Sequence, residues 1–470
     1  MMRKETIKGH TLPVLQCDKQ YGGLLEQVSQ YAFDYINTIY QKPPFPDEKA
    51  IQELNVFDEE LPFDGVDAFA VIKQLHEIGS PATTAEIGGR FFGFVNGGLF
   101  PVAHAAEWLA DTWNQNSALY VMSPVTSKLE MICELWIVQL LRLEPQTAMG
   151  LVTGSSNAII CALAAARNEL LNRQGYSISE KGFRNAPPLH VLISEEAHSS
   201  VKAALSVLGF GTDEIEMLAT DELGRIKIET VPKLDKNTLL ILQAGNVNGG
   251  SFDPIDKLCD MARAAGAWVH IDGAFGLWAA ASKKYRVLTK GIEKADSWSV
   301  DAHKTLNAGY DCGIVLCRHR NALVSALQAN GSYIAYGTQR DGMLYTTEMS
   351  RRARAIPLWA VLKTLGTSGV ENLVDTLCGH TEYFAEQLKI VGYTLVNPPV
   401  FNQFMIACET EEQTAQILRI VQNSGICWCS GSQWKGKNII RISVCSHMTT
   451  KNDIDISVAV FKAAYEEVFS

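Results

Sequence analysis

The chain has 470 residues, 47% of them hydrophobic and 20% charged, with a formal net charge of −10. That length suggests two or three structural units with ample core. The acidic balance disfavours nucleic acid or an anionic membrane as partner, because a phosphate backbone needs a basic face, so small molecules are the default ligand.

The first residues, "MMRKETIKGHTLPVL", are basic but have no continuous apolar core behind them, so no secretory signal is expected. No uninterrupted apolar run is long enough to span a bilayer. The eleven cysteines are scattered and read as free thiols of a reducing compartment, which points to the cytoplasm. Cys427 and Cys429 in "CWCSG" are the closest pair, and alternation along a strand explains them without a metal.

In chain order, "GGLLEQVSQYAFDYINTIY" predicts a helix that the prolines of "QKPPFPDE" must end. Residues 1–88 are read as an N-terminal helical arm. From residue 89 to 366 short Val/Ile/Leu runs alternate with helical sequence: "LHVLISEEAH", "TLLILQAGNVN", "AWVHIDGAFG", "SWSVDAHK" and "CGIVLCR". Such runs suit strands buried on both faces, so this unit is α/β with a mostly parallel sheet. Residues 367–470 mix the helices "GVENLVDTLCGHTEYFAEQLKIVG" and "EEQTAQILRIVQNSG" with the strands "FNQFMIAC" and "NIIRISVCS", a smaller α+β domain.

Ligands of open parallel sheets bind beyond the carboxyl ends of the strands, and five such ends here carry polar residues. "LVTGSSNAIICALAAAR" places Gly154, Ser155 and Ser156 at a helix start, where free N–H groups and the helix dipole make either an anion site or a plain cap. His198 follows the second run in "VLISEEAHSSVKAAL", and Asn246 and Asn248 stand in the turn "LQAGNVNGGSFDPI". Asp272 ends the buried-type run "WVHIDGAFGLW", where a carboxylate is costly unless a cation or donor meets it, and Ala274 follows. The fifth end is "SVDAHKTLNAGYDCG", with Asp301, His303 and Lys304. No P-loop, dinucleotide fingerprint or GxSxG elbow is present, and His76-Glu77 lacks the second histidine of a zincin helix.

In register, "VTGSSNAIICALAAAR", "SEEAHSSVKAAL", "AGNVNGGSFDPI", "HIDGAFGLW" and "DAHKTLNAGYDCG" resemble the pyridoxal-phosphate-dependent group II amino-acid decarboxylases, which include the glutamate and aromatic-L-amino-acid enzymes. The likeness runs from about residue 85 through "IIRISVCSHMTTKNDID". It implies an aspartate-aminotransferase-like (fold type I) α/β architecture with a small C-terminal domain, a homodimer with active sites at the interface, and the cofactor pyridoxal 5′-phosphate. The expected reaction is loss of the α-carboxyl of an L-amino acid as carbon dioxide, leaving a primary amine. Transamination, aldehyde formation or a non-catalytic homologue are the alternatives.

The resemblance also implies roles. Lys304, with a lowered pKa, holds the cofactor as a Schiff base; Asp272 pairs with the ring nitrogen; His198 and Ala274 pack on the two ring faces. Gly154, Ser155, Ser156 and His303 hold the phosphate, with Asp301 and Asn246 nearby. Arg441 matches an arginine that binds a substrate carboxylate, or is structural. Asn96 and, from the partner subunit, Asn116 line the side-chain pocket, where Ala118 replaces a bulky residue of the aromatic-acid enzymes. Relatives carry a loop tyrosine that protonates Cα; here Gly342 or Arg340 falls at its place, and Tyr345 in the loop "GTQRDGMLYTTE" is the nearest substitute.

Overall fold

The computed structural model describes residues 21–328 and 339–470, so Gly337 and Thr338 of the loop carrying Tyr345 lie outside the described residues. Seven short apolar runs form one sheet: β1 (Ala148–Val152), β2 (His190–Ser194), β3 (Ile215–Leu218), β4 (Thr238–Gln243), β5 (Trp268–Asp272), β6 (Ser297–Asp301) and β7 (Gly313–Cys317). Their order is β1-β7-β6-β5-β4-β2-β3. Neighbours from β6 through β5, β4 and β2 to β3 are parallel, whereas β7 is antiparallel to both β1 and β6, so the sheet is mostly but not wholly parallel. Every residue of β1, β4, β5, β6 and β7 is buried, as continuous apolar runs require when both sheet faces are covered.

Helix Ser155–Asn172 owes its close seat on the sheet to Ala158, Ala162, Ala165 and Ala166, all buried, whose small side chains let the backbones approach. The parallel register then sets three strand ends side by side. Gln243 lies opposite Asp272, and Asp272 opposite Ser299, two residues short of Asp301.

A second sheet, β8 (Thr394–Leu395), β9 (Gln403–Ala407), β10 (Ser430–Trp434) and β11 (Lys437–Ser443), has the order β10-β11-β9-β8 and is antiparallel throughout. Phe384, Phe404, Ile442 and Phe461 pack into its core with Cys427 and Cys429, while Trp428 between them turns the other way and stacks on Phe91. The early segment Arg90–Phe92 bonds into this region: Trp428 N–H donates to the Arg90 carbonyl at 3.0 Å and Ser443 N–H to that of Phe92 at 3.0 Å. The long helix Ala355–Val391 joins the two sheets and is broken at Gly366, whose φ of 59° lies in the left-handed region.

Helix Tyr21–Thr38 buries none of its residues in this chain. Among the described residues no helix is long and apolar enough to cross a membrane.

Candidate active site

The ends of β4, β5 and β6, the start of helix Ser155–Asn172, and the small sheet enclose a cavity of about 310 Å³. Ser155, His198, Asp272, Ala274, Lys304 and Arg441 all line it, together with Gln243, Gly431 and Ser432. Residues from Ser155 to Lys304 share one space because parallel strands deliver their polar ends to one edge, and the antiparallel small sheet adds Gly431, Ser432 and Arg441.

Lys304 follows β6 and lies within the protein, its Nζ 2.9 Å from Oδ2 of Asp301. Burial works against the ammonium, but Asp301 and, beyond it, Asp272 outweigh that cost and hold Lys304 above the ordinary lysine range. This corrects the expected lowering: the lysine arrives already paired with a carboxylate. Asp301 is almost wholly buried and also accepts the Ser155 N–H at 2.6 Å, so its charge sits on the positive end of the helix. His303 accepts the Cys312 N–H on Nδ1 at 3.1 Å, which leaves its hydrogen on Nε2, 3.6 Å from Asp301. Burial lowers the His303 pKa, and its ring stacks on Tyr310 with centroids 4.4 Å apart.

Asp272 is buried at the end of β5, with Oδ1 accepting from Ala274 N–H at 3.3 Å and the Ser299 hydroxyl at 3.2 Å. Burial pushes its carboxyl up, partly offset by His198 and Lys304. His198 caps helix Ser199–Val207, its Nδ1 accepting the Ser200 N–H. One side of the ring meets the open cavity while the surrounding protein withdraws the rest from water, which lowers its pKa and keeps it neutral near pH 7.

The phosphate-type corner is narrow. A Cβ on Gly154 would lie 3.4 Å from the His303 ring, and one on Gly313 would strike the Gly154 backbone at 2.4 Å. Gly245 lines the cavity at φ 103°, a conformation open only to glycine, with Phe275 closing in behind it. Ser156 is exposed just outside this corner. Asn246 shapes the adjoining turn: its Oδ1 accepts from Asn248 N–H at 2.9 Å and Gly249 N–H at 3.1 Å, while its buried Nδ2 has no partner among the described residues.

Arg441 projects from β11. It is 7% exposed, and of its donors one Nη1 bond reaches the Val247 carbonyl at 3.0 Å while the buried Nε has no partner among the described residues. Burial lowers its pKa. Gln243 is in the same condition, buried beside Asp272 with Nε2 unpartnered. The sequence reading passed over Gln243; its place at the end of an apolar run was the available signal.

Two expected residues, Asn96 and Tyr345, stand elsewhere, and Asn116, expected from the partner subunit, is described in its own chain. Asn96 has its Oδ1 taken by the Tyr310 hydroxyl at 3.0 Å and is not among the cavity-lining residues, and Asn116 accepts from the backbone of Ala118 and Arg351 on a turn away from it. Ala118 beside it is fully buried. Tyr345 is not brought to the cavity of its own chain, a departure from the expectation of a mobile acid. It is buried beside β1, its hydroxyl accepting from Arg320 at 2.9 Å and its ring lying under Arg340 at 4.1 Å. Gly342 is equally fixed, since a Cβ there would meet the Arg351 guanidinium at 2.0 Å.

The donor set fits a flat aldehyde with an anionic tail and a ring nitrogen: an amine at Lys304, a buried carboxylate with spare acceptor capacity at Asp272, flat-packing neighbours at His198 and Ala274, and a helix start for the tail. Comparison with known proteins agrees. Residues 51–394 match the model of the pyridoxal-dependent decarboxylase conserved domain. The chain is similar to an aromatic-L-amino-acid decarboxylase of Bacillus atrophaeus, 27% identical over 94% of this chain and 95% of that one. It is 29% identical to a cysteine sulfinic acid decarboxylase of Mus musculus, over 66% and 65% of the two. Among solved structures, Oryza sativa TDC, crystallised with PLP and tryptamine, superposes with a TM-score of 0.88 at 20% identity, over 96% of this chain and 99% of that one. With a match over most of its length and a pocket whose chemistry suits the cofactor, the chain belongs to the pyridoxal-phosphate-dependent amino-acid decarboxylases, carboxy-lyases of fold type I.

Proposed function

We propose that this decarboxylase acts on an L-amino acid carrying a second anionic group, and the observation that carries the reading is Arg441, a buried guanidinium facing the cavity with an unpartnered donor and no carboxylate beside it. A buried cation without a counter-ion costs several kcal/mol, on the order of 3–5, so a ligand anion is its natural complement. The side-chain anion is favoured over the α-carboxylate for this contact, because a guanidinium on the departing group would stabilise the ground state more than neutral carbon dioxide.

Around it, Lys304 anchors the aldehyde carbon, Asp272 keeps a proton on the ring nitrogen, and His198 and Ala274 flank the ring. Pyridoxal phosphate supplies an electron-withdrawing ring that stabilises the carbanion left at Cα. Gly154, Ser155, Ser156 and His303 hold the phosphate, with Asp301 joining Ser155 and Lys304 and Asn246 setting the turn opposite. Asp301 receives the Lys304 ammonium whenever the substrate amine takes its place.

The working unit is a homodimer. Leu61 and Phe63 are 95% and 103% exposed, and Leu25, Phe33, Trp108 and Val121 are exposed as well, apolar side chains that a partner subunit would cover. The partner's Asn116 would then reach the site from this interface. The chain divides into an arm (1–88), a cofactor-binding unit (89–366) and a small unit (367–470), a division supported by the break at Gly366. Ten free cysteines among the described residues, nine of them buried, support a reducing, cytoplasmic setting.

The test is a screen of carbon dioxide and amine release over the common amino acids and cysteine sulfinate with purified, cofactor-loaded protein. Acidic substrates are expected to lead. Aromatic amino acids turned over tenfold faster, or a keto acid or aldehyde as the main product, would overturn the reading.

A further inference from the structure

Asn307, three residues after the cofactor lysine, is fully buried and sits at φ 54°, a left-handed conformation that asparagine tolerates better than most residues. Its Nδ2 donates to the carbonyls of Lys304 at 3.1 Å, Thr305 at 2.9 Å and Cys445 at 2.9 Å. Its Oδ1 accepts the N–H of Gly98 at 2.7 Å and of His447 at 2.8 Å. The Asn307 carbonyl accepts from Phe100 at 3.1 Å. A turn needs only its own closing bond, here Asn307 N–H to the Lys304 carbonyl at 3.0 Å. The contacts with Gly98, Phe100, Cys445 and His447 reach segments 138 to 209 positions away, so the residue does more than close a turn.

Two of those segments matter for the site. Cys445 and His447 directly follow β11, the strand that carries Arg441 into the cavity. Gly97 and Gly98 press on the other side of the turn: a Cβ on Gly97 would lie 2.1 Å from the Lys304 carbonyl, and one on Gly98 would lie 2.7 Å from Asn307 Oδ1. The backbone of Lys304 is therefore clamped between the early chain and the small sheet through a single side-chain amide.

We propose that Asn307 is a positioning residue that fixes the backbone of Lys304 relative to β11, so that the lysine amine, Asp301 and Arg441 keep one mutual arrangement. The inference rests on the reading of Lys304 as the cofactor lysine. Because the amide donates to the lysine's own carbonyl, its loss moves the point from which Nζ reaches Asp301 and the aldehyde carbon. A displacement of that kind changes the charge balance at Nζ and the alignment of the substrate bond.

The experiment uses purified, cofactor-loaded full-length protein and reads the visible absorption of the lysine-bound cofactor as a function of pH, with the melting temperature and kcat and KM recorded alongside. Asn307→Asp keeps the acceptor and removes all three donations. It is expected to move the pH midpoint of the band by about half a unit or more and to lower kcat by about 10- to 100-fold. Gly98→Ala, whose Cβ would press on Asn307 Oδ1, Ser446 Oγ and His447 Nδ1 without touching the lysine, is expected to shift the midpoint in a smaller measure, and it decides alone if Asn307→Asp yields no soluble protein. Asn402→Ala, which removes the bond to the Val444 carbonyl at 3.1 Å and a side-chain bond with Cys445 but none of the bonds of Asn307, provides the comparison for general loosening of the small unit. A shifted midpoint in the first two variants and an unshifted one in Asn402→Ala supports the role. An unshifted midpoint in Asn307→Asp, or in Gly98→Ala where that variant decides, or the same shift in Asn402→Ala, overturns it. A wild-type spectrum with no such band, or a band retained in Lys304→Ala, overturns the lysine assignment and this inference with it.

Discussion

Two clusters of buried charge, one beside the edge strand β1 and one at the ends of β4, β5 and β6, differ in whether each charge has met an opposite one. Along the free edge of β1, Glu130 is met by Arg340 at 3.0 Å and Arg351 at 2.6 Å, and Glu134 by Arg340 at 2.8 Å and by Arg320. The same guanidiniums cap the open carbonyls of Met149 and Leu151, closing an edge that would otherwise invite pairing with another strand. In the cavity, by contrast, Asp272 has two neutral donors on one oxygen, and Arg441 and Gln243 keep unpartnered donors. A cluster whose charges have all met opposite charges is finished as structure, although Arg351 Nε there is also without a partner among the described residues. A charge equally buried but unpaired, as at Arg441, is complete only with a ligand, and this difference separates scaffold from site without reference to any relative.

The comparison can be broken experimentally. Lys304→Ala is expected to abolish both the visible cofactor band and turnover; measurable carbon dioxide release by that variant would remove Lys304 from the centre of the site. Asp272→Ala is expected to lower kcat by about 100- to 1,000-fold while the protein still folds, since a buried carboxyl without its ligand partner contributes little to stability. Wild-type kcat in this variant would count Asp272 as scaffold.

The β1 cluster should respond the other way. Glu130→Gln leaves Arg351 without a carboxylate and Arg340 with Glu134 alone, and is expected to destabilise the fold by about 3–5 kcal/mol with the cofactor spectrum unchanged. Calorimetry and absorbance on the same sample check both halves, and a spectral shift with full stability would reverse the assignment of the two clusters. Arg441→Met is expected to raise KM for an acidic substrate by about 10- to 100-fold, the worth of one charge-assisted contact, and to leave the melting temperature level or slightly higher. A substantial loss of stability would make Arg441 structural.

The smallest effect concerns His270, two residues before Asp272 on the same strand but facing the scaffold. Ser297 Oγ accepts from Trp268 and shares a hydrogen bond with His270 Nδ1 at 3.0 Å, and burial lowers the histidine pKa to about 3. A depressed histidine binds a proton in the unfolded chain and not in the folded one. Stability is therefore full above the unfolded value near 6.5 and falls as pH drops towards 3, by about 2 kcal/mol between pH 7 and pH 5. Denaturant titrations at the two pH values should show this loss in the wild type and less of it in His270→Phe; equal losses would discard His270 as the cause.

Much of this was legible in the sequence because its signals are local. A run such as "TLLILQ" can only be a strand covered on both faces, and a polar residue at its end must face the ligand edge of a parallel sheet. Asp272, His198 and Lys304 were found that way, and the spacing of five such ends carried the family resemblance. Arg441 was visible as a motif residue, with its role left open between substrate contact and structure.

What the chain order could not decide was which polar residues find partners. Whether Tyr345 is a mobile acid or a buried member of the β1 cluster depends on Arg320 and Arg340 arriving beside it. Whether Lys304 has a lowered or a raised pKa depends on the rotamer that brings Asp301 to 2.9 Å. Gln243 has only its place at the end of an apolar run as a local signal and becomes conspicuous by an unpartnered amide, while Asn307 has none and becomes conspicuous only by joining two distant segments to the lysine turn. Periodicity and turn chemistry act over a few residues and are written in the sequence. Electrostatic satisfaction is a property of the assembled interior, and tertiary packing alone determines it.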